Sequence, residues 1–302
     1  MHERFTFERI QKAFRVRPDR PFRLADHDPA WAGDLDVPKK ERKEIADRVL
    51  EESRAELAEA QELLYAADSW SILVVFQAMD AAGKDGAIKH VMSGVNPQGV
   101  EVHSFKHPTA KELEHTWLWR SMLALPERGR IGIFNRSHYE EVLIVRVHPH
   151  LVDAQRIPHV KVGPSFWRHR LEDIVAFERH LARNGTAIVK FFLNVSRGEQ
   201  RRRFLERLDA PEKNWKFSVG DVRERGHWDA YMEAYEAAIG ATSTDEAPWY
   251  VVPADNKWIS RAVVAAVLAG TIRGLGLEYP RVDEAGQAEL AAARRQLEAE
   301  DD

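Results

Sequence analysis

The sequence predicts an α/β fold with three layers, in which helices cover both faces of a parallel central sheet. Five short runs rich in β-branched and aromatic residues alternate with helix-like segments along the 302-residue chain. The runs are apolar at nearly every position, as is typical of strands buried on both faces. Parallel strands end at one edge of a sheet, so we expect ligands there. The predicted strands are 72–76, 100–105, 131–134, 187–193 and 249–252.

The elements follow in chain order. Residues 1–40 contain four prolines and no sustained periodicity, so we expect an extension that wraps on the domain. A long amphipathic helix is predicted from Lys39 to about Ala67, because apolar residues recur at helical spacing among many charges. The main domain spans 41–280, and the acidic tail 281–302 is a peripheral helix former. The other predicted helices are 85–95, 110–125, 166–184, 197–208, 228–241 and 259–275.

Composition excludes several classes of protein. The chain has no cysteine, which excludes disulfides, thiolate metal sites and cysteine nucleophiles. Its best apolar run, from Ala262 to Ile272, is too short to cross a membrane, and the charged N-terminus does not resemble a signal peptide. The net charge of −4 argues against a nucleic-acid partner. We therefore expect a cytoplasmic protein with no membrane or nucleic-acid partner.

The first motif is a buried strand that ends in a small-residue turn and opens a helix. The turn resembles the phosphate loop G-x-x-x-x-G-K-[ST], but Ala78 replaces the first glycine and Asp85 replaces the hydroxyl residue. Gly83 allows close backbone approach, and Lys84 can reach a phosphate. Asp80 and Asp85 could hold magnesium, although Asp85 could equally cap the helix. An ordinary tight turn between strand and helix is the alternative interpretation.

The second motif is a run of polar residues directly after the predicted strand 131–134. Asn135 stands where phosphate-loop enzymes usually have an acidic residue for magnesium. Arg136 is placed to bind a phosphate, or alternatively to form a structural ion pair. His138 and Tyr139 fit packing or substrate-shape roles better than acid–base roles.

The third motif is a basic helix and the loop after it, within a predicted lid at about 197–227. Arg203 and Arg207 lie one turn apart, and Lys213 and Lys216 follow in the loop. A lid that carries cations can close over phosphates and exclude water. The alternative is a solvated helix in which Glu199 pairs with Arg203.

Together these motifs resemble the polyphosphate kinase 2 family of phosphate-loop kinases. The resemblance runs from about residue 63 to residue 280. The family tolerates the departures from the common phosphate-loop pattern at Ala78 and Asp85. It implies a thymidylate-kinase-like P-loop kinase fold with a parallel sheet and a helical lid. Its blocks are residues 63–65, 77–86, 94–99, 134–140, 206–217, 228–231 and 247–253.

The resemblance also implies an activity and a set of site residues. It implies phosphoryl transfer from inorganic polyphosphate to a nucleotide with Mg²⁺, or Mn²⁺ in its place, by a homo-oligomer. Asn135 followed by Arg-Ser-His-Tyr-Glu is similar to the motif of the subgroup that phosphorylates AMP and ADP. Guanine nucleotides are further candidate acceptors. Lys84, Asp80 and Arg136 would be catalytic, with Asp80 as the metal ligand. The expected binding residues are Ala82, Gly83, Asp85, Gly86, Asn135, His138, Tyr139, Glu140, Arg203, Arg207, Lys213 and Lys216. The negative charge along polyphosphate adds Lys106 and Arg120 as expected outer contacts.

Two alternative functions share these motifs. A nucleotide kinase would use the same loop and lid but take its phosphate from ATP. A regulator that only binds nucleotide or polyphosphate would show no turnover, and the presence of Lys84 and the basic lid argues against that interpretation.

Overall fold

Five parallel strands form the single sheet of the computed structural model, which describes residues 12–33 and 37–300 except for the side chains of Lys213 and Lys216. The strand order is β2-β3-β1-β4-β5. The predicted parallel sheet is confirmed, and every predicted strand end lies within one residue of its observed position. The strands are β1 Ser71–Gln77, β2 Val100–Ser104, β3 Ile131–Asn135, β4 Thr186–Asn194 and β5 Trp249–Pro253.

Strand β1 lies at the centre of the sheet. All seven of its residues are buried, because β3 and β4 pair with its two edges and helices cover its faces. Phe76 is in register with Asn135 of β3 and with Phe191 of β4. The loop that leaves β1 therefore emerges between the ends of β3 and β4, where side chains from three strands converge.

The helices form two layers around the sheet. Helices α1, α2 and α10 pack on one another on one face, and α6 and α9 cover the other. They are α1 Lys39–Ala67, α2 Lys84–Val91, α3 Ala110–Leu113, α4 Trp119–Met122, α5 Ile144–Val147, α6 Pro164–Arg183, α7 Arg197–Asp209, α8 Val219–Arg225, α9 Trp228–Thr242, α10 Lys257–Arg273 and α11 Glu284–Glu298. None of the helices in the described ranges is long and apolar enough to cross a bilayer.

Two predicted helices differ from the structure. The segment 110–125 forms two short helices, α3 and α4, instead of one. Helix α3 buries no residue and α4 buries only Ser121, so a continuous helix would have no apolar face to stabilise it. Helix α2 ends at Val91, four residues before the predicted end at 95, and Gly94 then takes a left-handed φ of 92°.

The N-terminal segment covers the open edge of β5. The Val16 amide donates to the Trp249 carbonyl over 2.8 Å, and Phe14 and Leu24 are buried in the core. This contact protects a strand edge that would otherwise be exposed. Residues 1–11 and 34–36 of the predicted extension, and 301–302 of the predicted tail, lie outside the described residues. Helix α11 buries none of its residues.

Candidate active site

The loop after β1 is shaped to receive an anion. Gly83 takes a φ of 108° and Ala81 a φ of 60°, so the backbone turns sharply before α2 begins at Lys84. The first intrahelical bond runs from the Ala87 amide to the Gly83 carbonyl over 2.9 Å. The amides of the first three helical residues precede that bond, which leaves them available to a phosphate.

Lys84 places its ammonium group inside this turn. Its Nζ donates to the Ala78 carbonyl over 2.9 Å, so the residue that replaces the usual glycine anchors the lysine. Burial, and then the charge of Arg136, lower the pKa of Lys84, whereas carboxylates including Asp80 and Glu140 oppose that effect. The lysine is a partly desolvated cation beside the free amides.

The end of β3 contributes two polar residues to the same place. The Asn135 amide donates to Asp85 Oδ1 over 2.8 Å. Arg136 lies 3.0 Å from Asp80 and 3.7 Å from Glu140, measured between guanidinium nitrogen and carboxylate oxygen. Burial alone would lower the pKa of Arg136, but Glu140 and Asp80 outweigh it and raise that pKa. The structural ion pair considered for Arg136 is therefore present, at the rim of the phosphate loop.

The backbone of Arg136 is strained. Its φ is 64°, in the left-handed region that a side chain rarely adopts, and its amide donates to the Phe76 carbonyl of β1 over 3.1 Å. Such strain costs about 1–3 kcal/mol and tends to occur at functional sites. The conformation turns Arg136 toward the phosphate loop instead of along the strand.

The donors in this region fit magnesium. Asp80 and Asp85, which both carry a carboxylate, line the cavity. Magnesium in kinases is held by one or two carboxylates together with water and phosphate oxygens, so a closed cage of protein ligands is not needed. Gly83 is the N-cap of α2 and no side chain caps the helix, whereas Asp85 in its first turn accepts from Asn135. The residues present thus suit a cation bound jointly with substrate phosphates.

A cavity of about 1020 Å³ surrounds these groups. Both the α3–α4 segment and α5 contribute walls, as do α7 and α10. The side chains of Lys213 and Lys216 lie outside the described part of the structure. The predicted site residues that line the cavity are Asp80, Ala82, Gly83, Lys84, Asp85, Gly86, Lys106, Arg120, Asn135, Arg136, His138, Glu140, Arg203 and Arg207.

The outer contacts Lys106 and Arg120 are held together. Arg120 donates to the Lys106 carbonyl over 2.7 Å, and its guanidinium lies 5.3 Å from the centre of the Phe105 ring. This cation–π contact fixes the arginine at one end of the cavity. The broken helix at 110–125 brings Arg120 back toward the end of β2.

The prediction that Tyr139 binds substrate is wrong. The 3₁₀ turn His138–Val142 directs Tyr139 into the core, where it is fully buried. Its hydroxyl lies 2.9 Å from Glu178 Oε1 and accepts from Lys190 Nζ over 2.9 Å. His138 reaches the cavity wall, but its side chain is also buried, with Nε2 3.4 Å from Glu178. Both residues support the site by packing.

The structure also corrects the role predicted for Arg203. Only 4% of its side chain is exposed, and Nε donates to Glu199 over 2.7 Å, as in the alternative interpretation. Its terminal nitrogens donate to the carbonyls of Ala81, Ala82, Ala254 and Asp255. An arginine has five N–H donors, so none is left for a phosphate. The guanidinium contacts the loop backbone instead of a substrate.

Sequence reasoning missed two cations on the cavity wall. Lys257 and Arg261 are one turn apart on α10 and both line the cavity. Within the described residues, neither has a hydrogen bond or an ion pair within 4 Å. Burial lowers the pKa of each group. Their spacing of four residues on a mostly apolar helix is the sequence signal that could have identified them.

The predicted lid consists of α7, a 3₁₀ segment Pro211–Lys216 and α8. Arg207 NH1 lies 4.0 Å from Asp221 Oδ2, which links α7 to α8 beside the cavity. Glu224 of α8 accepts from the Tyr231 hydroxyl over 2.6 Å and lies 2.9 Å from His148 Nε2. Trp215 is 78% exposed at the cavity mouth. These contacts hold α8 beside the cavity.

Comparisons with known proteins agree with this geometry. The sequence matches the family described as Polyphosphate kinase 2 over residues 40–276. An ADP-polyphosphate phosphotransferase from Rhodopseudomonas palustris is 52% identical over 88% of this chain and 92% of that protein. An AMP/ADP-polyphosphate phosphotransferase from Meiothermus ruber is 47% identical over 91% of this chain and 98% of that protein.

A solved structure shows the same fold. The crystal structure of polyphosphate kinase 2 from Arthrobacter aurescens has a TM-score of 0.84 and 40% sequence identity, and the match covers 95% of this chain and 96% of that chain. The helical lid, the parallel sheet and the phosphate loop are therefore those of a P-loop kinase. The chain is an enzyme that belongs to the polyphosphate kinase 2 family.

Proposed function

We propose that this enzyme transfers a phosphoryl group from inorganic polyphosphate to AMP and ADP with the help of Mg²⁺. Membership of the family makes it a polyphosphate-dependent nucleotide phosphotransferase. The names of the two bacterial relatives support adenine nucleotides as acceptors. The observation that carries the proposal is the phosphate loop with Lys84 in a cavity whose walls add Arg136, Lys257 and Arg261. A polyanionic donor needs such a series of cations.

The chain's own groups can perform the transfer without a general base. The terminal phosphate of a nucleotide acceptor is already an oxyanion near neutral pH, so positioning and charge neutralisation suffice. Lys84 and the amides at the start of α2 would hold the transferred phosphoryl group. Arg136 could exchange its carboxylate partners for phosphate oxygens and bind them with two parallel bonds. Magnesium, where bound, would neutralise further charge on the phosphate oxygens.

The lid would protect the reaction from water. Closure of the C-terminal end of α7, the 3₁₀ segment and α8 over the cavity would bring Arg207, in the last turn of α7, toward the phosphates. It would also exclude the water that would otherwise hydrolyse the donor. Arg207 already faces the cavity, so a small movement of the lid is enough.

One assay tests donor and acceptor together. Purified protein with Mg²⁺ is incubated with long-chain polyphosphate, or with ATP, and with AMP, ADP, GMP or GDP, and the nucleotide products are separated. We expect AMP to yield ADP and ADP to yield ATP from polyphosphate. Turnover with ATP as donor and none with polyphosphate would make the protein an ordinary nucleotide kinase, and binding without turnover would make it a regulator.

Replacing Asp80 with asparagine tests the proposed metal ligand. The substitution keeps the size of the side chain but removes its charge, so we expect the Mg²⁺ concentration for half-maximal activity to rise about tenfold or more. Activity is measured across a Mg²⁺ titration. The exposed Glu59→Gln on α1 is the matched control and should leave the titration unchanged. An unaltered Mg²⁺ dependence in Asp80→Asn would remove Asp80 from the metal site.

Replacing Lys257 and Arg261 with glutamine tests the added cations. Because neither group has an ion pair within 4 Å in the described structure, we expect the double variant to raise the KM for long polyphosphate about tenfold. The KM for ADP should stay near the wild-type value. Arg273→Gln, at the far end of the same helix, is the control. An unchanged KM for polyphosphate would mean that polyphosphate does not bind against Lys257 and Arg261 of α10.

A further inference from the structure

We infer that Arg203 and Gln200 of α7 are positioning residues that orient the peptides of the phosphate loop for catalysis. The inference rests on the proposed function, because it assigns a task to groups beside the same site. Neither residue needs to touch a substrate: only 4% of the Arg203 side chain and 1% of Gln200 is exposed. They act through the backbone that the substrate would contact.

Three successive carbonyls of the loop point at these two side chains. Gln200 Nε2 donates to the Asp80 carbonyl over 3.0 Å. Arg203 NH1 donates to the Ala81 carbonyl over 3.0 Å and to the Ala82 carbonyl over 2.7 Å. These contacts join positions about 120 residues apart in the chain, so they exist only when α7 is packed beside the loop.

The direction of these carbonyls determines the direction of the amides. In a trans peptide the C=O and N–H bonds point opposite ways, and no peptide in the described chain is cis. When the Ala82 carbonyl is held by Arg203, the amide of Gly83 is turned away from α7. The Ala82 amide is used within the loop, where it donates to the Met79 carbonyl over 3.2 Å. The Gly83 amide therefore joins those of α2 as an anion donor.

This loop has particular need of such support. Ala81 has a φ of 60°, which is unfavourable for a residue with a Cβ atom, and Ala78 stands where the common motif has glycine. If the peptide between Ala82 and Gly83 reversed, its carbonyl would face the transferred phosphate and repel it. The fork of Arg203 prevents this, because its NH2 is also bound to the Ala254 and Asp255 carbonyls after β5.

The same bonds connect the loop to the lid. Arg225, the last residue of α8, donates to Gln200 Oε1 over 2.8 Å, and Gln200 in turn donates to Asp80. Glu199 accepts a hydrogen bond from Arg203 Nε and thereby fixes the orientation of the guanidinium group. A change at α8 can thus reach the phosphate loop through one amide side chain.

The test compares Arg203→Lys and Gln200→Leu with the wild-type enzyme. Lysine keeps the charge but lacks the planar fork, so we expect kcat with polyphosphate and ADP to fall about 100-fold. Gln200→Leu removes a neutral donor, and its kcat should fall in the same direction. The KM for ADP should change by less than about threefold in both, since neither Arg203 nor Gln200 contacts the acceptor in this proposal. Arg202→Gln, an exposed neighbour that also pairs with Glu199, is the control and should remain near wild type.

Pyrophosphate binding supplies a second measurement that needs no turnover. Calorimetry without nucleotide, at a temperature at which thermal unfolding shows both proteins to be folded, should show binding about tenfold weaker in Arg203→Lys. Near-normal kcat and pyrophosphate binding in Arg203→Lys would overturn the inference, as would a Gln200→Leu enzyme with unchanged kcat. If Arg203→Lys does not fold, the kcat and the pyrophosphate affinity of Gln200→Leu decide whether the inference holds. A wild-type protein without polyphosphate-dependent turnover would instead contradict the proposed function, and pyrophosphate binding would still test the loop.

Discussion

Replacing Lys84 with methionine is expected to lower turnover about 1,000-fold or more while leaving the fold intact, because one preorganised cation in a phosphoryl-transfer site contributes at least that much. The ammonium group lies beside the free amides of α2 and is anchored on the Ala78 carbonyl over 2.9 Å. Methionine fills similar space without the charge. Burial lowers the pKa of Lys84, so the folded protein has already partly stripped the cation of water. Its interaction with a phosphate is strengthened accordingly.

The measurement is kcat with saturating polyphosphate and ADP, accompanied by thermal unfolding. Lys89→Met is the matched control, since Lys89 is exposed on the same helix and should retain normal activity. Near-normal turnover in Lys84→Met would contradict the assignment of the phosphate loop. Loss of activity together with a large fall in melting temperature would instead indicate a structural role.

The second large effect is expected in the core. Replacing Lys190 with methionine should lower the free energy of unfolding by about 3–5 kcal/mol, because it leaves a buried carboxylate without its partner. Lys190 is fully buried on β4, and its Nζ donates to Glu178 over 2.5 Å, to the Tyr139 hydroxyl and to the Thr242 carbonyl. Burial alone would raise the pKa of Glu178, but Lys190 and His138 outweigh it and lower that pKa. The carboxylate is therefore charged in the folded state.

Urea unfolding at neutral pH measures this effect. The double variant Lys190→Met with Glu178→Leu removes both charges and should recover most of the lost stability, because an apolar pair can replace a buried ion pair at small cost. Arg168→Ala breaks the exposed pair with Glu172 and should change stability by less than about 1 kcal/mol. A double variant as unstable as the sum of the single variants would show that the two charges are not coupled.

This buried network also explains why the residues after Arg136 were difficult to assign. His138 and Tyr139 lie two and three residues after Arg136, so their position in the motif favoured a binding role. The 3₁₀ turn separates them: Arg136 faces the cavity, whereas Tyr139 faces α6 and β4, where Glu178 and Lys190 bond to its hydroxyl. The backbone conformation decides which residue of such a polar run reaches the phosphate-binding cavity.

The strands and the phosphate loop could be predicted because their signals are local. Buried strands need apolar residues at every position, and a turn that binds phosphate needs small residues and a lysine. The convergence of Lys84, Asn135 and Arg136 also followed, since parallel strands end at one edge of the sheet. The division of segment 110–125 into two short helices could not be predicted from the sequence. Its helical periodicity does not reveal that the sheet offers no surface for a continuous helix to cover.

By itself, the sequence determined the layered fold, the loop that binds phosphate and the family of kinases to which this chain belongs. Only the tertiary structure decided which cations are free to bind a substrate. Arg203 and Lys257 carry the same charge, but the donors of Arg203 are used by carbonyls from two distant loops, whereas Lys257 has no hydrogen bond or ion pair within 4 Å among the described residues. Charge is a property of the residue, and the availability of its donors depends on which distant backbone groups the fold packs against it.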